Sequence, residues 1–313
     1  MDRVTGGAIL PLTMRGGVVA LGNFDGFHLG HQAVVGRALA LARERGVPAL
    51  VASFDPHPAR LFKPDLPPFA LTTVKQRLDL LEAFGVDAAV MIPFTRELAA
   101  LSAEDFVAQW LVRRLGVSGV VTGGDFTFGS ARSGDTAQLA ELGAAHGFTA
   151  EVVAPVSDGT GILSSSRVRS FLRAADPEAA AALLTRPFTI SGIVEHGAKL
   201  GRTLGFPTAN MRLGDYQRPA YGVYAVIAVL PDGRRVPGVA NLGIRPMISP
   251  PVELLETWLL DWSGDLYGQT LGIELHAFLR PEYKLDGLEA LKAQIARDAD
   301  AARAALTAAG STP

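Results

Sequence analysis

The sequence predicts two domains of different class: an α/β domain built on a parallel sheet, then an antiparallel β domain with a C-terminal helix. In the first half, short apolar runs alternate with helical patterns, which is typical of a doubly wound parallel sheet. After the alanine-rich segment 176–184, short strand-like runs separated by turn residues dominate, which favours an antiparallel barrel or sandwich. The 313 residues are enough for two hydrophobic cores.

Each element follows from its local pattern. The predicted parallel strands cover residues 18–21, 49–53, 88–92, 119–122 and 150–153. The predicted helices between them cover 31–45, 75–84, 103–115 and 136–146. In the second half the predicted strands are 222–230, 236–240, 254–260 and 271–278, followed by an amphipathic helix over 287–308. We therefore place the first domain at 1–172, a linker at 173–186 and the second domain at 187–313.

Composition excludes several classes of function. The net charge is −2, which argues against a nucleic-acid partner because such surfaces need clustered basic residues. There is no cysteine, so disulfides, thiolate catalysis and zinc–thiolate sites are excluded. The N-terminal residues lack the apolar core of a signal peptide, and no apolar run is long enough to span a membrane. We expect a soluble, cytoplasmic protein without a membrane partner, and the sequence leaves its oligomeric state open.

The segment from Gly22 to His31 is the most informative local pattern. It follows a predicted strand, opens a predicted helix and contains His28, Gly30 and His31. Helix N-termini bind phosphate through unpaired N–H groups, and each histidine can donate a hydrogen bond to a phosphate oxygen. Glycine allows a nucleotide to approach the backbone closely. The pattern predicts attack on a nucleotide α-phosphate with pyrophosphate leaving, whereas the alternative is two surface histidines that cap a helix.

Other segments at predicted strand ends fit the same site, because ligands bind at the carboxyl ends of parallel strands. Ser164, Ser165 and Arg169 place hydroxyls and a guanidinium at the start of a helix, which favours anions, although a plain serine N-cap is the alternative. Asp55 and His57 lie in a loop stiffened by prolines, which a structural turn would also explain. Phe126 and Phe128 follow Asp125 and could stack on a flat ring or belong to the core.

The second half carries its own candidates. Thr208 and Asn210 face the same side of an extended segment and offer hard oxygen ligands suited to Mg²⁺ beside a nucleotide phosphate. Period-two alternation over 254–260 places Glu256 on one face with Leu254, Trp258 and Leu260. A carboxylate on an apolar face is costly unless it is partnered, so Glu256 is a candidate general base. The alternatives are a proline-directed turn and an edge glutamate in another register.

These motifs together, in this order and along nearly the whole chain, resemble the bifunctional bacterial riboflavin kinase/FMN adenylyltransferases. The segments that carry the resemblance are 22–31, 54–58, 123–129, 164–169, 201–210, 241–246, the Glu256 strand and 266–268. The His-x-Gly-His turn alone would admit many nucleotidyltransferases. The Phe-Pro-Thr-Ala-Asn segment at 206–210 is far more specific.

The resemblance implies a Rossmann-like nucleotidyltransferase domain and a six-stranded antiparallel β-barrel riboflavin kinase domain. It implies ATP and Mg²⁺ as requirements, and riboflavin, FMN and ATP as binding partners. His28 and His31 would act in FAD formation, and Glu256 would act in FMN formation. The implied nucleotide and phosphate contacts are Gly22, Phe24, Gly30, Ser164, Ser165, Arg169, Gly197 and Gly201. The implied flavin contacts are Asp125, Phe126, Phe128 and Phe62, and the implied metal ligands are Thr208 and Asn210.

Two other functions are compatible with parts of the sequence. An adenylyltransferase acting on a pantetheine or nicotinamide phosphate would share the histidine turn but would leave Thr208, Asn210 and Glu256 unexplained. A flavin carrier with inactive sites would be expected to lack the catalytic groups, which are all present.

Overall fold

The computed structural model describes residues 1–6, 9–196, 205–245, 252–284 and 286–310. The chain divides into two compact units. The first contains residues 1–67 and 72–164, and the second contains 68–71 and the chain from 165 onward. Gly197 and Gly201, two of the implied phosphate contacts, lie outside the described residues.

The first unit is built on a six-stranded parallel sheet in the order β1-β4-β3-β2-β5-β6. Its strands are β1 (Asp2–Val4), β2 (Val18–Leu21), β3 (Ala49–Asp55), β4 (Ala88–Pro93), β5 (Gly119–Gly123) and β6 (Thr149–Val153). Four of the five predicted strands are extended by one or two residues, and the fifth, β2, has the predicted bounds. The edge strand β1 is not predicted by the sequence, because three residues give no alternation to detect.

Helices cover both faces of this sheet, as the alternating pattern predicts. They are α1 (Leu29–Arg45), α2 (Pro58–Phe62), α3 (Val74–Ala83), α4 (Arg96–Ala99), α5 (Ala103–Phe106) and α6 (Thr136–His146), with α5 continuing as a π-helix over Val107–Leu115. Two buried clusters result. One packs α1 and α3 against β2 and β3, and the other packs the π-helix and α6 against the opposite face.

The second unit begins with α7 (Ser165–Arg173) and α8 (Pro177–Leu184). The division after residue 164 therefore lies earlier than the predicted boundary at 172, and the predicted linker contains a helix. Helix α8 packs on α7 and against the sheet of the same unit. Residues 68–71 also belong to the second unit. The Ala70 N–H donates to the Asp215 carbonyl at 2.9 Å, and the Ala70 carbonyl accepts from the Gln217 N–H at 2.7 Å.

A six-stranded antiparallel sheet forms the body of the second unit, in the order β7-β12-β9-β10-β11-β8. Its strands are β7 (Phe188–Ile193), β8 (Thr208–Met211), β9 (Gly222–Val229), β10 (Arg235–Arg245), β11 (Val252–Leu259) and β12 (Thr270–Arg280), followed by helix α9 (Leu288–Ala308). A bridge between Glu195 and Asn210 joins the two ends of this order, which gives the sheet its barrel character. Of the predicted alternatives, the barrel is confirmed.

Helix α9 covers part of one sheet face. Its residues Ala299, Ala302 and Leu306 pack against Val223 and Leu260. A partly buried ion pair fastens the helix to the end of β12: Arg280 Nε and Nη2 donate to the two carboxylate oxygens of Asp298 at 2.8 and 2.7 Å. No helix of the described residues is both long enough and apolar enough to cross a membrane.

Candidate active sites

The first candidate site lies in the turn between β2 and α1. His28 is the N-cap of α1, and its Nδ1 accepts a hydrogen bond from the Gly30 N–H at 3.1 Å. Its ring stacks on that of His31, with centroids 3.7 Å apart and planes 26° apart. Because Nδ1 accepts, the proton of neutral His28 lies on Nε2, which makes Nε2 a hydrogen-bond donor. His28 is only 4% exposed. It therefore caps the helix but is not a surface histidine.

Gly30 is needed for packing within the turn. A Cβ built there would lie 3.0 Å from both the His28 ring and the Leu163 carbonyl oxygen. The approach of a nucleotide to the Gly30 backbone stays a prediction, and the space in the direction of a Cβ is occupied by His28 and Leu163. Similarly, a Cβ at Gly22 would meet the Phe24 ring at 3.1 Å. Both glycines therefore set the shape of the turn.

Phe24 and Phe27 both adopt left-handed backbone conformations, with φ of 50° and 44°. Their side chains are 1% and 2% exposed and belong to the core between α1 and the sheet. Phe24 can therefore offer a nucleotide only its backbone. Non-glycine residues adopt this conformation only where the surroundings enforce it, so the turn is a strained and firmly held segment.

The proline-flanked loop after β3 leads into α2, which also has a histidine as its N-cap. His57 is the N-cap of α2, and its Nδ1 accepts from the Ala59 N–H at 3.1 Å, as His28 does from Gly30. The peptide bond between Asp55 and Pro56 is cis. Asp55, the last residue of β3, is exposed. A structural role for His57 is thus visible, as the alternative interpretation expects.

Aromatic rings form a continuous run through the first unit. The run connects Phe62, Phe94, Phe54, Phe106, Phe128 and Phe126, with successive centroids 5.5 to 6.5 Å apart. It contains all three phenylalanines implied as flavin contacts. Phe62 is 65% exposed and Phe126 is half-buried, whereas Phe128 is 6% exposed and belongs to the core. Phe62 and Phe126 are therefore accessible to a planar ligand, and Asp125, the chain neighbour of Phe126, is exposed.

The serine–arginine segment spans the division between the units. Ser164 closes the first unit, whereas Ser165 and Arg169 belong to α7 in the second. Arg169 Nε donates to the Phe69 carbonyl at 2.7 Å, and its guanidinium lies 5.3 Å from the centroid of the Phe69 ring. Phe69 therefore fixes the orientation of the Arg169 side chain, a contact that the sequence does not predict.

The second candidate site lies on the barrel, where three strands meet in register. Asn210 on β8 lies opposite Glu256 on β11, and Glu256 lies opposite Asn241 on β10. Directly opposed residues of antiparallel strands share a face, with Cβ atoms about 5 Å apart. Thr208 pairs with Trp258 one step along the same face. The predicted faces of both strands are confirmed, and the register brings Thr208, Asn210 and Glu256 together.

The two proposed metal ligands of this site, Thr208 and Asn210, offer neutral oxygens. Asn210 Nδ2 donates to the Thr208 carbonyl at 3.2 Å, so the Asn210 Oδ1 is the amide atom that can act as a ligand. The described residues contain no cluster of three or more histidine or carboxylate side chains that could hold a metal alone. An amide oxygen and a hydroxyl fit Mg²⁺ that takes its remaining ligands from water and substrate phosphates.

A cavity of about 300 Å³ adjoins this face. It is lined by Val194, Pro207, Thr208, Ala209, Asn210, Leu259 and the segment 262–267. At its rim the rings of His196 and Tyr267 lie 3.9 Å apart. The cavity thus combines aromatic and apolar walls with the Thr208 and Asn210 oxygens, as a pocket for a small organic ligand requires.

Asn241 and Glu282 also belong to this candidate site. Asn241 lies in the segment 241–246 that carries the resemblance, but neither residue was predicted to have a role. Asn241 Nδ2 donates to Glu282 Oε1 at 2.9 Å, and the Glu282 carboxylate fills the space beside Gly243, where a Cβ would lie 2.5 Å from Oε2. We predicted that β10 ends at residue 240. Pairing with β11 instead continues the strand to Arg245 and aligns Asn241 with Glu256.

Comparison with known proteins gives matches in both halves of the chain. The model of the FAD synthetase family matches residues 11–167, and the model of the riboflavin kinase family matches residues 184–306. A bifunctional riboflavin kinase/FMN adenylyltransferase of Pseudomonas fluorescens is 44% identical over 93% of both chains. Proteins with that name from Escherichia coli K12 and Bacillus subtilis 168 are 41% and 37% identical over 92% and 90% of both chains.

Among solved structures, a chain from Streptococcus pneumoniae titled as a macrolide-efflux protein superimposes with a TM-score of 0.87. It is 28% identical, and the match covers 97% of this chain and 99% of that one. The similarity extends over both units.

Proposed function

Because this chain belongs to the family of bifunctional riboflavin kinase/FMN adenylyltransferases, which form FMN from riboflavin and FAD from FMN, we propose that its two reactions use the two sites described above. The observation that carries this proposal is that the two predicted sets of catalytic groups lie in different units. The histidine pair lies within the FAD synthetase match, and Glu256 lies within the riboflavin kinase match. We keep 1–172 and 187–313 as the proposed functional domains.

In FAD formation, a phosphate oxygen of FMN attacks the α-phosphorus of ATP, and the bond to the bridging oxygen breaks to release pyrophosphate. Negative charge grows on the α-phosphate oxygens and on the leaving group. The Nε2–H of His28, oriented by its Nδ1 contact, and the stacked His31 would donate hydrogen bonds to those oxygens. Such transfers depend on positioning and charge stabilisation, so no covalent intermediate is required.

The remaining residues of the first reaction would bind the two substrates. The backbone at Gly22, Phe24 and Gly30 would approach the nucleotide, and Ser164, Ser165 and Arg169 would hold the outgoing phosphates. For the flavin, Phe62 and Phe126 are the proposed stacking residues, and Asp125, the chain neighbour of Phe126, is a further proposed contact. Phe128 would support Phe126 from the core, since the two rings are stacked at 5.8 Å.

In FMN formation, the terminal ribityl hydroxyl of riboflavin attacks the γ-phosphorus of ATP, and ADP leaves. Glu256 would accept the hydroxyl proton as the new O–P bond forms. ATP would occupy the cavity beside Thr208 and Asn210, and Gly197 and Gly201 would contact its phosphates. Thr208 and Asn210 would hold Mg²⁺, which neutralises phosphate charge when it is bound.

Two alternative functions fit the molecule less well. An adenylyltransferase for pantetheine or nicotinamide phosphate does not account for the riboflavin kinase match over residues 184–306. An inactive flavin carrier does not account for the aligned Asn210 and Glu256 pair. Because ATP and flavins are supplied inside the cell, we infer a cytoplasmic enzyme whose partners are riboflavin, FMN and ATP, without a nucleic-acid or membrane partner.

The test is chromatography of flavins after the purified protein has been incubated with riboflavin, ATP and Mg²⁺. We expect FMN first and FAD later. If FMN accumulates without FAD, the assignment of the first site is wrong. If riboflavin remains unchanged while added FMN is converted to FAD, the assignment of the second site is wrong. A parallel sample with excess EDTA tests the Mg²⁺ proposal, and FMN formation at an undiminished rate would contradict it.

A further inference from the structure

A buried arginine, Arg77, lies beneath the histidine turn and is not among the residues proposed to contact the substrates. Arg77 is in the second turn of α3 and only 5% exposed. Its Nη1 donates to the Ser53 hydroxyl at 2.8 Å and to the Phe54 carbonyl at 3.4 Å. The Ser53 hydroxyl in turn donates to the Asn23 carbonyl at 2.8 Å. A chain of hydrogen bonds therefore runs from the guanidinium to the backbone of the turn.

A second contact, from Thr72 just before α3, holds the turn at Asp25 and Gly26. The Thr72 hydroxyl accepts from the Gly26 N–H at 3.1 Å and donates to Asp25 Oδ1 at 3.2 Å. The Thr72 N–H also donates to Asp25 Oδ1, at 3.0 Å. Asp25 and Thr72 are 3% and 4% exposed. Phe24 therefore lies between two buried polar anchors, and Phe27 directly follows the second one.

The chemistry of Arg77 indicates a role other than packing. Its hydrogen-bond partners, a hydroxyl and a carbonyl, are uncharged, and within the described part of the chain its Nε has no partner. Burial lowers the pKa of its guanidinium, and the charges of Asp25 and Asp55 only partly oppose this. A buried charge is costly, and an apolar side chain of similar volume usually stabilises a core at least as well. An apolar side chain could not donate a hydrogen bond to the Ser53 hydroxyl, which itself donates to the Asn23 carbonyl.

We propose that Arg77 is a positioning residue for adenylyl transfer, acting through Ser53 on the backbone of the turn that presents His28 and His31. This rests on the proposed role of the two histidines. The hydrogen-bond chain keeps the turn in its left-handed conformation, so that the cap of α1 places the His28 Nε2–H correctly. Small displacements of a group that stabilises a transition state reduce turnover strongly, even when substrate binding survives.

The test compares Arg77→Met, Arg77→Lys and Ser53→Ala with Arg43→Met, a matched control at an exposed arginine of α1 in the same unit. We expect Arg77→Met and Ser53→Ala to lower kcat for FAD formation from FMN about 10- to 100-fold, with KM for ATP changed less than about threefold. Arg77→Lys keeps one donor for Ser53 and recovers part of the rate. The double variant Arg77→Met/Ser53→Ala loses no more than the more severe single variant, because both belong to one chain of contacts.

Riboflavin kinase activity of each variant reports that the second unit is folded. A structural readout comes from the histidine ring signals in NMR spectra, of which the chain has six. We expect those of His28 and His31 to shift in Arg77→Met, and those of His196 and His276 to stay in place. If Arg77→Met does not fold, the kcat values of Ser53→Ala and Arg77→Lys for FAD formation are compared with that of the parent instead.

The inference is overturned if Ser53→Ala and the folded Arg77 variants keep the kcat of the parent, or if the double variant shows the product of the two single losses. His28→Ala separates this outcome from failure of the proposed function. If His28→Ala retains FAD formation, the histidine assignment itself is wrong. If His28→Ala is inactive while the Arg77 and Ser53 variants are unaffected, only the positioning role is wrong.

Discussion

Glu256 lies directly opposite Asn210 in the antiparallel pairing of β11 with β8. The pairing places a carboxylate beside an amide whose Nδ2 is already engaged by the Thr208 carbonyl. A proton acceptor and a neutral oxygen ligand therefore share one face of the barrel beside a cavity of about 300 Å³. The barrel supplies this arrangement through backbone register, which fixes side chains more firmly than a loop does.

The first prediction concerns the proposed base. Glu256→Ala should abolish FMN formation from riboflavin, and Glu256→Gln should lower its kcat by about 100-fold or more, because the amide cannot accept the hydroxyl proton. FAD formation from added FMN should stay within about twofold of the parent, since that reaction is assigned to the other unit. Flavin chromatography measures both rates in one preparation. Loss of both activities in folded protein would contradict the two-site assignment.

The second prediction concerns the histidine turn. His28→Ala should abolish FAD formation while FMN formation continues, so that FMN accumulates from riboflavin and ATP. The alanine removes the Nε2–H donor together with the cap that accepts from the Gly30 N–H. The cap accounts for about 1 kcal/mol of stability, which a thermal unfolding scan would detect separately. FAD formation at the parent rate would refute the role of His28.

The third prediction uses two glycines of helix α1. Gly30→Ala should lower FAD formation at least about tenfold, because its Cβ would lie 3.0 Å from the His28 ring and the Leu163 carbonyl. Gly36→Ala is the control, since nothing lies within 4 Å of a Cβ there. Alanine should stabilise the helix at that position by about 0.5 to 1 kcal/mol without changing activity. Equal activities of the two variants would mean that this close packing is not required.

Much of the fold follows from local pattern, and the misses have physical causes. The parallel strands and the faces of Thr208, Asn210 and Glu256 are predicted because period-two alternation survives without tertiary information. The sequence does not predict strand β1, because the strand is stabilised by pairing with β4 and by the ion pairs of Arg3 with Asp79 and Glu82. Because residues distant in sequence hold this strand in place, its own three residues do not show the alternation by which a strand is predicted.

The contacts that complete the two sites are missed for the same reason. Asn241 belongs to the candidate kinase site only because pairing with β11 continues β10 beyond its predicted end at residue 240. Arg77 reaches the histidine turn through Ser53, which is 24 residues away from it in the chain. Sequence patterns identify residues whose chemistry is conspicuous, such as His28 and Glu256. Residues that act through another residue become visible only when the chain is folded.

The fourth prediction concerns the attachment of the C-terminal helix. Asp298, with a side chain 7% exposed, accepts from Arg280 and, at 2.7 Å, from Gln294 Nε2. Asp298→Ala should reduce the free energy of unfolding by about 1 to 3 kcal/mol, because it leaves the partly buried Arg280 guanidinium without its carboxylate partner. Urea unfolding measures the change, with Asp300→Ala, at an exposed position of the same helix, as the control.

Replacing both partners separates the two contributions to that loss. Arg280→Met/Asp298→Leu should recover most of the stability, since apolar side chains of similar volume avoid the desolvation cost of an unpaired charge. If the double variant is as unstable as Asp298→Ala, the ion pair itself stabilises the helix, and the explanation by desolvation is wrong.

The fifth prediction concerns the residue that orients Asn241. Glu282 accepts from Asn241 Nδ2 at 2.9 Å, which turns the Asn241 Oδ1, a buried atom, away from Glu282. Because Asn241 lies opposite Glu256, loss of this contact should let the amide rotate and disturb the base. We expect Glu282→Ala to lower kcat for FMN formation about tenfold, and Glu282→Gln, which keeps an oxygen acceptor, to stay within about threefold.

The matched control is Glu289→Ala, in the first turn of α9, where the glutamate side chain is 86% exposed and pairs with Lys292. It should leave both activities unchanged, because a surface ion pair contributes little. FAD formation from FMN should be unaffected in all three variants. If Glu282→Ala and Glu282→Gln lose the same fraction of FMN formation, the carboxylate charge matters and the orientation of Asn241 does not. Equal KM for riboflavin with reduced kcat in Glu282→Ala alone is the result that supports a positioning role.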